Sequence, residues 1–117
     1  MTNTIKHFKC GDTEYPLAFT MNVIEKIQDK YGSYEKWGDM TDSKKQEPNI
    51  GALKFGITEM INEGIDIENE NLETKREFLK AKQVGRLITE LGIKRLADEV
   101  QETVIESTKN NEEEKNV

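Results

Sequence analysis

The chain has 117 residues, of which 34% are hydrophobic and 34% are charged, and its net charge at pH 7 is -6. This length suits one domain with a modest core, which we expect to span residues 1–108. The acidic balance weighs against nucleic-acid binding, because affinity for phosphate depends largely on Lys and Arg. A single cysteine, Cys10, excludes an internal disulfide and suits a reducing compartment. No stretch resembles a signal peptide or a membrane helix of roughly 20 apolar residues, so the sequence predicts a cytoplasmic protein with no membrane partner.

The N-terminal segment TIKHFKCGDTEYPLAFT predicts a β-hairpin. Ile5 and Phe8 belong to the first strand, Gly11-Asp12 supplies turn residues, and residues 13–17 form the returning strand. Pro16 cannot donate a ladder hydrogen bond, so it makes the second strand an edge strand or ends it there.

A first helix is predicted from Thr20, a good N-cap residue, to Gly32, which suits the position just after a helix. Its apolar residues recur at helical spacing: Val23, Ile24, Ile27 and Tyr31. Ser33 can cap one further helical turn that carries Tyr34 and Trp37.

A second long helix is predicted after Pro48, which is tolerated in a first helical turn. Its apolar stripe is Ile50, Leu53, Ile57, Met60 and Ile61. Gly64 marks the expected end, followed by an acidic connector, IDIENENLE, read as a turn or an irregular strand. Phe55 lies off the stripe, about 140° from Ile50 around the helix axis.

Two shorter amphipathic helices meet at Gly92. Their stripes are Ala81, Val84, Leu87, Ile88 and Leu91, then Ile93, Leu96, Ala97, Val100 and Val104. Residues 109–117 show no apolar periodicity and are predicted to be a disordered acidic tail. The predicted fold is therefore α+β, with a short N-terminal β-hairpin followed by about four α-helices.

The stretch KQVGRLITELGIKRLADEV, residues 82–100, has the outline of a DNA-binding helix-turn-helix. The second helix would read the bases, yet it carries several carboxylates, which repel phosphate. Asp98 stands where that motif usually has an apolar residue. Lys94 and Arg95 are the only basic residues of the second predicted helix. They lie at its N-terminal end, where the helix dipole disfavours cations. An αα-hairpin that packs its stripes into the core is the better interpretation, and no nucleic-acid partner is predicted.

Residues that could carry catalysis are sparse. The one histidine, His7, lies in the first predicted strand, and there is no H-E-x-x-H, C-x-x-C, nucleophile-elbow or phosphate-loop pattern. The segment DIENENLE lacks the central glycine of an EF-hand loop, because Asn71 stands at that position. We therefore predict that the chain is not an enzyme and that it has no catalytic residues, no cofactor and no metal site.

Three stretches carry a family resemblance: CGDTEYPLAFT, KYGSYEKW and KQVGRLITELG, in this order and in a chain of this size. Together they resemble the tail assembly chaperones of tailed bacteriophages, particularly those of PBSX-like defective prophages of Gram-positive bacteria. The resemblance covers roughly residues 5–108. The family has no agreed catalytic residues, so none is carried over.

The resemblance implies a role in virion morphogenesis inside the bacterial host. Such chaperones are thought to coat the long, aggregation-prone tape measure protein and to leave as tail tube subunits polymerise around it. The implied partners are the tape measure protein and, second, the tail tube protein. Self-association stays open on the sequence alone, and many members of that family also have a longer frameshifted form.

Binding an apolar helix requires an exposed apolar surface on a charged body. The candidates are aromatic residues outside the core stripes: Tyr34, Trp37 and Phe55. The alternative for Trp37 is that it covers the core from a short turn, and Phe55 could equally be buried on a second helix face.

Three other functions stay open on the sequence alone. The first is a small phage or bacterial adaptor without chaperone behaviour, which would bind its partner at fixed stoichiometry. The second is a helix-turn-helix DNA-binding protein that uses residues 82–104. The third is an enzyme subunit whose partner supplies the missing reactive groups.

Overall fold

The computed structural model describes residues 5–115, with side chains as far as Lys109. These residues form a β-hairpin followed by five helices. The elements in chain order are β1 (Ile5–Cys10), β2 (Thr13–Ala18), α1 (Met21–Tyr31), α2 (Tyr34–Thr41), α3 (Ile50–Asn69), α4 (Ala81–Leu91) and α5 (Ile93–Lys115). The predicted α+β class with an N-terminal hairpin is confirmed. A fifth helix appears because residues 34–41 form a full helix rather than a single turn.

The hairpin closes through the predicted two-residue turn, in which Gly11 has a φ of 63° that favours glycine. The strands are antiparallel, with His7 opposite Pro16 and Ile5 opposite Ala18. Of the two outcomes predicted for Pro16, the edge strand is the one found, because β2 continues past it. A two-stranded sheet leaves one side of each strand unpaired, so the missing N–H is tolerated.

Helix α3 is the centre of the fold, since it packs against β2 and against each of the other four helices. The prediction that Gly64 ends this helix is wrong: α3 continues to Asn69, and Ile65 in the expected connector is fully buried. A Cβ on Gly64 would lie only 2.7 Å from the Cβ of Pro16. Glycine at this position therefore allows β2 to pack closely against α3.

The apolar stripes meet in one core, as their helical spacing predicted. Its fully buried large side chains are Leu17, Val23, Ile27, Trp37, Leu53, Ile57, Met60, Ile61, Ile65, Val84, Leu96 and Val100. Ile50 and Ala81 are exceptions, because each lies exposed at the first position of its helix.

Helices α4 and α5 form the predicted αα-hairpin, joined at Gly92 with a φ of 97°. The structure continues α5 through Lys115, where the sequence predicted a disordered tail, and residues 116–117 lie outside the described range. The segment after Ile93 contains neither glycine nor proline, and its Glu and Lys residues are good helix formers. Within residues 5–115, no helix combines the length and apolar character needed to cross a bilayer.

Candidate protein-binding surface

Trp37 belongs to the core and not to an exposed surface. Its side chain is completely buried, and its indole N–H donates to the carbonyl oxygen of Ala52 on α3 at 2.9 Å. The ring also stacks on Phe19, with 6.0 Å between centroids. Gly56 allows the close approach of α3, because a Cβ there would lie 2.7 Å from Cε2 of Trp37. In this structure the Trp37 side chain cannot contact a partner, so the alternative weighed for it, a core residue, is the one found.

Tyr34 and Phe55 are each half-buried against other aromatic residues. Tyr34 meets the ring of Phe19 edge-on at 5.9 Å, and Phe55 meets Tyr31 in the same manner at 5.8 Å. The ammonium group of Lys30 lies 4.5 Å from the centroid of Phe55. Burial raises the pKa of the Tyr31 hydroxyl. Part of each ring therefore remains available to a partner, although the three predicted residues do not form one exposed patch.

The large apolar side chains that are most exposed lie elsewhere. They are Met21 on α1, Ile50 on α3, Leu72 and Phe78 between α3 and α4, and Ile105 on α5. Phe78 is 57% exposed although it is an aromatic residue in an ordered part of the chain. Phe78 is the candidate among them for contact with a partner, because an exposed aromatic ring buries a large area on binding.

The segment before α4 is held along α3 by two asparagine side chains. The amide of Asn62 exchanges two hydrogen bonds with the backbone of Leu79, at 2.8 and 2.9 Å. Asn69 does the same with the backbone of Arg76, at 2.9 and 3.0 Å. We call this arrangement the asparagine clamp.

The spacing of the asparagine clamp follows from helix and strand geometry. Asn69 follows Asn62 by seven positions in α3, which is almost two full turns and about 10.5 Å of rise on one face. Leu79 follows Arg76 by three positions, a distance of about 10 Å for an extended chain. The matching lengths let both amides pair with the same extended segment, and the guanidinium of Arg76 also lies 5.7 Å from the ring centroid of Tyr15.

Phe78 lies between the two clamped residues and lines a groove of about 190 Å³ between α1 and α3. The other residues that line the groove are Asn22, Val23, Lys26, Glu59, Asn62, Glu63 and Asp66. Glu63 accepts hydrogen bonds from the Thr20 hydroxyl and, at 3.1 Å, from the Asn22 side chain. Thr20 occupies the predicted N-cap position of α1, but its hydroxyl bonds to Glu63 instead of capping the helix.

Titratable groups with polar partners occur mainly at the surface. His7 lies 2.6 Å from Glu68, in an exposed pair. The Cys10 thiol is buried, and this burial, followed by its contact with Glu90, raises its pKa. Over the part of the chain that the structure describes, no three His, Cys, Asp or Glu side chains are grouped so as to hold a metal ion.

Lys94 and Asp98 of the possible helix-turn-helix form hydrogen bonds to other side chains of the protein. Lys94 donates to Asp98 at 2.8 Å, and Asp98 also accepts from the Ser43 hydroxyl at 3.0 Å. The Lys94 hydrogen bond and then that of Ser43 lower the pKa of Asp98, so the carboxylate stays charged at neutral pH. A carboxylate at this point of the second helix opposes the approach of a phosphate backbone.

Reasoning from the sequence missed Phe78 and the asparagine clamp. The available signal was a lone aromatic residue within the charged stretch ETKREFLK, which has no helical or alternating apolar pattern. The clamp itself leaves no local signal, because it pairs residues that are seven and seventeen positions apart in the chain.

No protein-family model matches the chain, and it matches neither a curated protein nor a solved structure.

Proposed function

We propose that the chain is a phage tail assembly chaperone of the PBSX-like type, which binds the tape measure protein and keeps it soluble while the tail assembles. The proposal is supported first by the resemblance of its three stretches, CGDTEYPLAFT, KYGSYEKW and KQVGRLITELG. In the structure these stretches belong to β2, to the junction of α1 and α2, and to α4.

The observation that carries the proposal is the exposure of apolar side chains on a body with a net charge of -6. A chaperone of this kind needs apolar surface that can cover apolar side chains of its client, together with charge that keeps the complex in solution. Phe78 and Met21 are each 57% exposed. The asparagine clamp holds the backbone on both sides of Phe78, so little conformational freedom remains to be lost there on binding.

The test is co-expression of the chain with the tape measure protein, the proposed client, which carries the purification tag. Light scattering of the purified product gives the number of copies of the chain per client. The proposal predicts a soluble complex with several copies along each client, and a client that is insoluble when made alone. A client that is soluble alone and binds nothing would contradict the proposal, whereas a complex of one copy to one client would favour a simple adaptor.

A further inference from the structure

The groove between α1 and α3 combines an apolar wall with an acidic rim. Val23 and Phe78 supply the apolar side chains that line it. Glu59, Glu63 and Asp66 also line it, and they lie on one face of α3 because they are four and three residues apart. Lys26 is the one basic residue among the lining residues.

The acidic rim gives the groove a preference for cations. Three carboxylates against one ammonium make the lining net negative, and Glu63 is held in place by Thr20 and Asn22. Glu59 and Asp66 stand about one helical turn to either side of Glu63. A segment that enters the groove is therefore favoured if it brings Lys or Arg side chains to these carboxylates.

Phe78 supplies the aromatic contact in the groove. An exposed aromatic ring buries a large area on binding and can also accept a guanidinium or ammonium group on its face. Because Asn62 fixes the neighbouring backbone of Leu79, Phe78 is positioned before a partner arrives. Aromatic residues that are held in this way are common sites of strong binding energy.

We propose that this groove is the docking site for a basic amphipathic helix of the client, with an apolar side chain against Phe78 and Lys or Arg side chains near Glu59 and Asp66. The proposal rests on the proposed function, because the client's long helix is the occupant. A second copy of this chain is disfavoured by charge, since each copy carries a net charge of -6.

The experiment is a competition within the cell. The tagged client is co-expressed with equal amounts of wild-type chain and a variant, and mass spectrometry of the purified complex gives the ratio of variant to wild type. Phe78→Ser is the principal variant, and the double variant Glu59→Lys with Asp66→Lys reverses the charge of the rim. Ile105→Ser is the matched control, because Ile105 is 60% exposed and Phe78 is 57% exposed.

The proposal predicts that Phe78→Ser lowers the ratio on the order of tenfold or more, as expected for a central aromatic contact. The charge-reversed variant should also be depleted, and its depletion should shrink when the complex is washed at higher salt. The Ile105→Ser ratio should stay near one. Thermal unfolding of each purified variant shows whether it is folded, and the exposed position of Phe78 predicts a nearly unchanged melting temperature.

Four results would overturn the docking site. A Phe78→Ser ratio near one, in a complex that does form, would reject the groove and leave the chaperone proposal standing. Equal depletion of the Phe78 and Ile105 variants would show that binding is not specific to the groove. A dimer of the chain alone that Phe78→Ser abolishes would assign the groove to a second copy. If wild-type chain itself fails to bind the client, the proposed function fails, and the docking site fails with it.

Discussion

Substitution of Gly56 by Ala tests the packing of Trp37 against α3. A Cβ on Gly56 would lie 2.7 Å from Cε2 and 2.9 Å from Nε1 of Trp37, and closer still to Cζ2. The indole cannot retreat freely, because it is fully buried and its N–H is bonded to Ala52. Either the ring gives up this hydrogen bond or α3 moves away from α2.

The expected loss of stability follows from three contributions. Overpacking of a buried site costs about 1–3 kcal/mol. Weakening of the indole hydrogen bond costs about 1 kcal/mol more. The higher helix propensity of Ala returns about 1 kcal/mol. The net effect is a destabilisation of about 1–3 kcal/mol, which lowers the melting temperature by roughly 4 °C for each kcal/mol in a domain of this size.

The measurement is thermal and urea unfolding followed by far-UV circular dichroism, with Gly38→Ala as the matched control. Gly38 lies in α2, the helix that carries Trp37, and a Cβ there would have no atom within 4 Å. Gly38→Ala is therefore expected to be neutral or to stabilise the protein by up to about 1 kcal/mol. If Gly56→Ala proves as stable as Gly38→Ala, the packing described for Trp37 is incorrect.

Four further predictions concern α3, the asparagine clamp and the buried thiol. Gly64→Ala should destabilise the protein by about 1–3 kcal/mol in urea unfolding, because its Cβ would meet β2 at 2.7 Å; an unchanged midpoint would contradict this close contact. Asn62→Ala and Asn69→Ala should each speed tryptic cleavage within residues 75–80, measured by mass spectrometry, since each removes two hydrogen bonds to that segment; cleavage at the wild-type rate would show that the clamp is not what orders it. Cys10 should react slowly with a maleimide in the folded protein and rapidly in urea, because its thiol is buried. Burial raises the pKa of this thiol, so its contribution to stability is present below the ordinary thiol pKa and is lost as the pH rises through the raised value. Cys10→Ala should make this alkaline loss smaller in urea unfolding, and an identical loss in the variant would refute the assignment to Cys10.

The parts of the fold that the sequence predicted are those set by local patterns. The helical spacing of apolar residues predicts which faces of α1, α3, α4 and α5 lie in the core. Most of the apolar residues on those faces are buried. Gly11, Gly32 and Gly92 were predicted at turns or helix ends, and each has a positive φ that glycine adopts readily.

The errors arose where a residue's role depends on a distant neighbour. Gly64 looks the same in the sequence whether it ends a helix or permits close packing, and only the position of Pro16 decides between the two. Trp37 is a candidate for binding in the sequence because it lies outside the core stripes, yet Gly56 leaves room for the ring to pack in the core. The position of Phe78 depends on the two hydrogen bonds between the Asn62 side chain and the Leu79 backbone, which no local pattern shows.

The most direct test of the chaperone proposal is the solubility of the client in a purified system. The tape measure protein, the proposed client, would be denatured and then diluted into buffer with increasing amounts of this chain, and the turbidity would be followed over time. The proposal predicts that wild-type chain suppresses aggregation and that suppression saturates at several copies per client. The same turbidity with and without the chain, at every ratio, would contradict it.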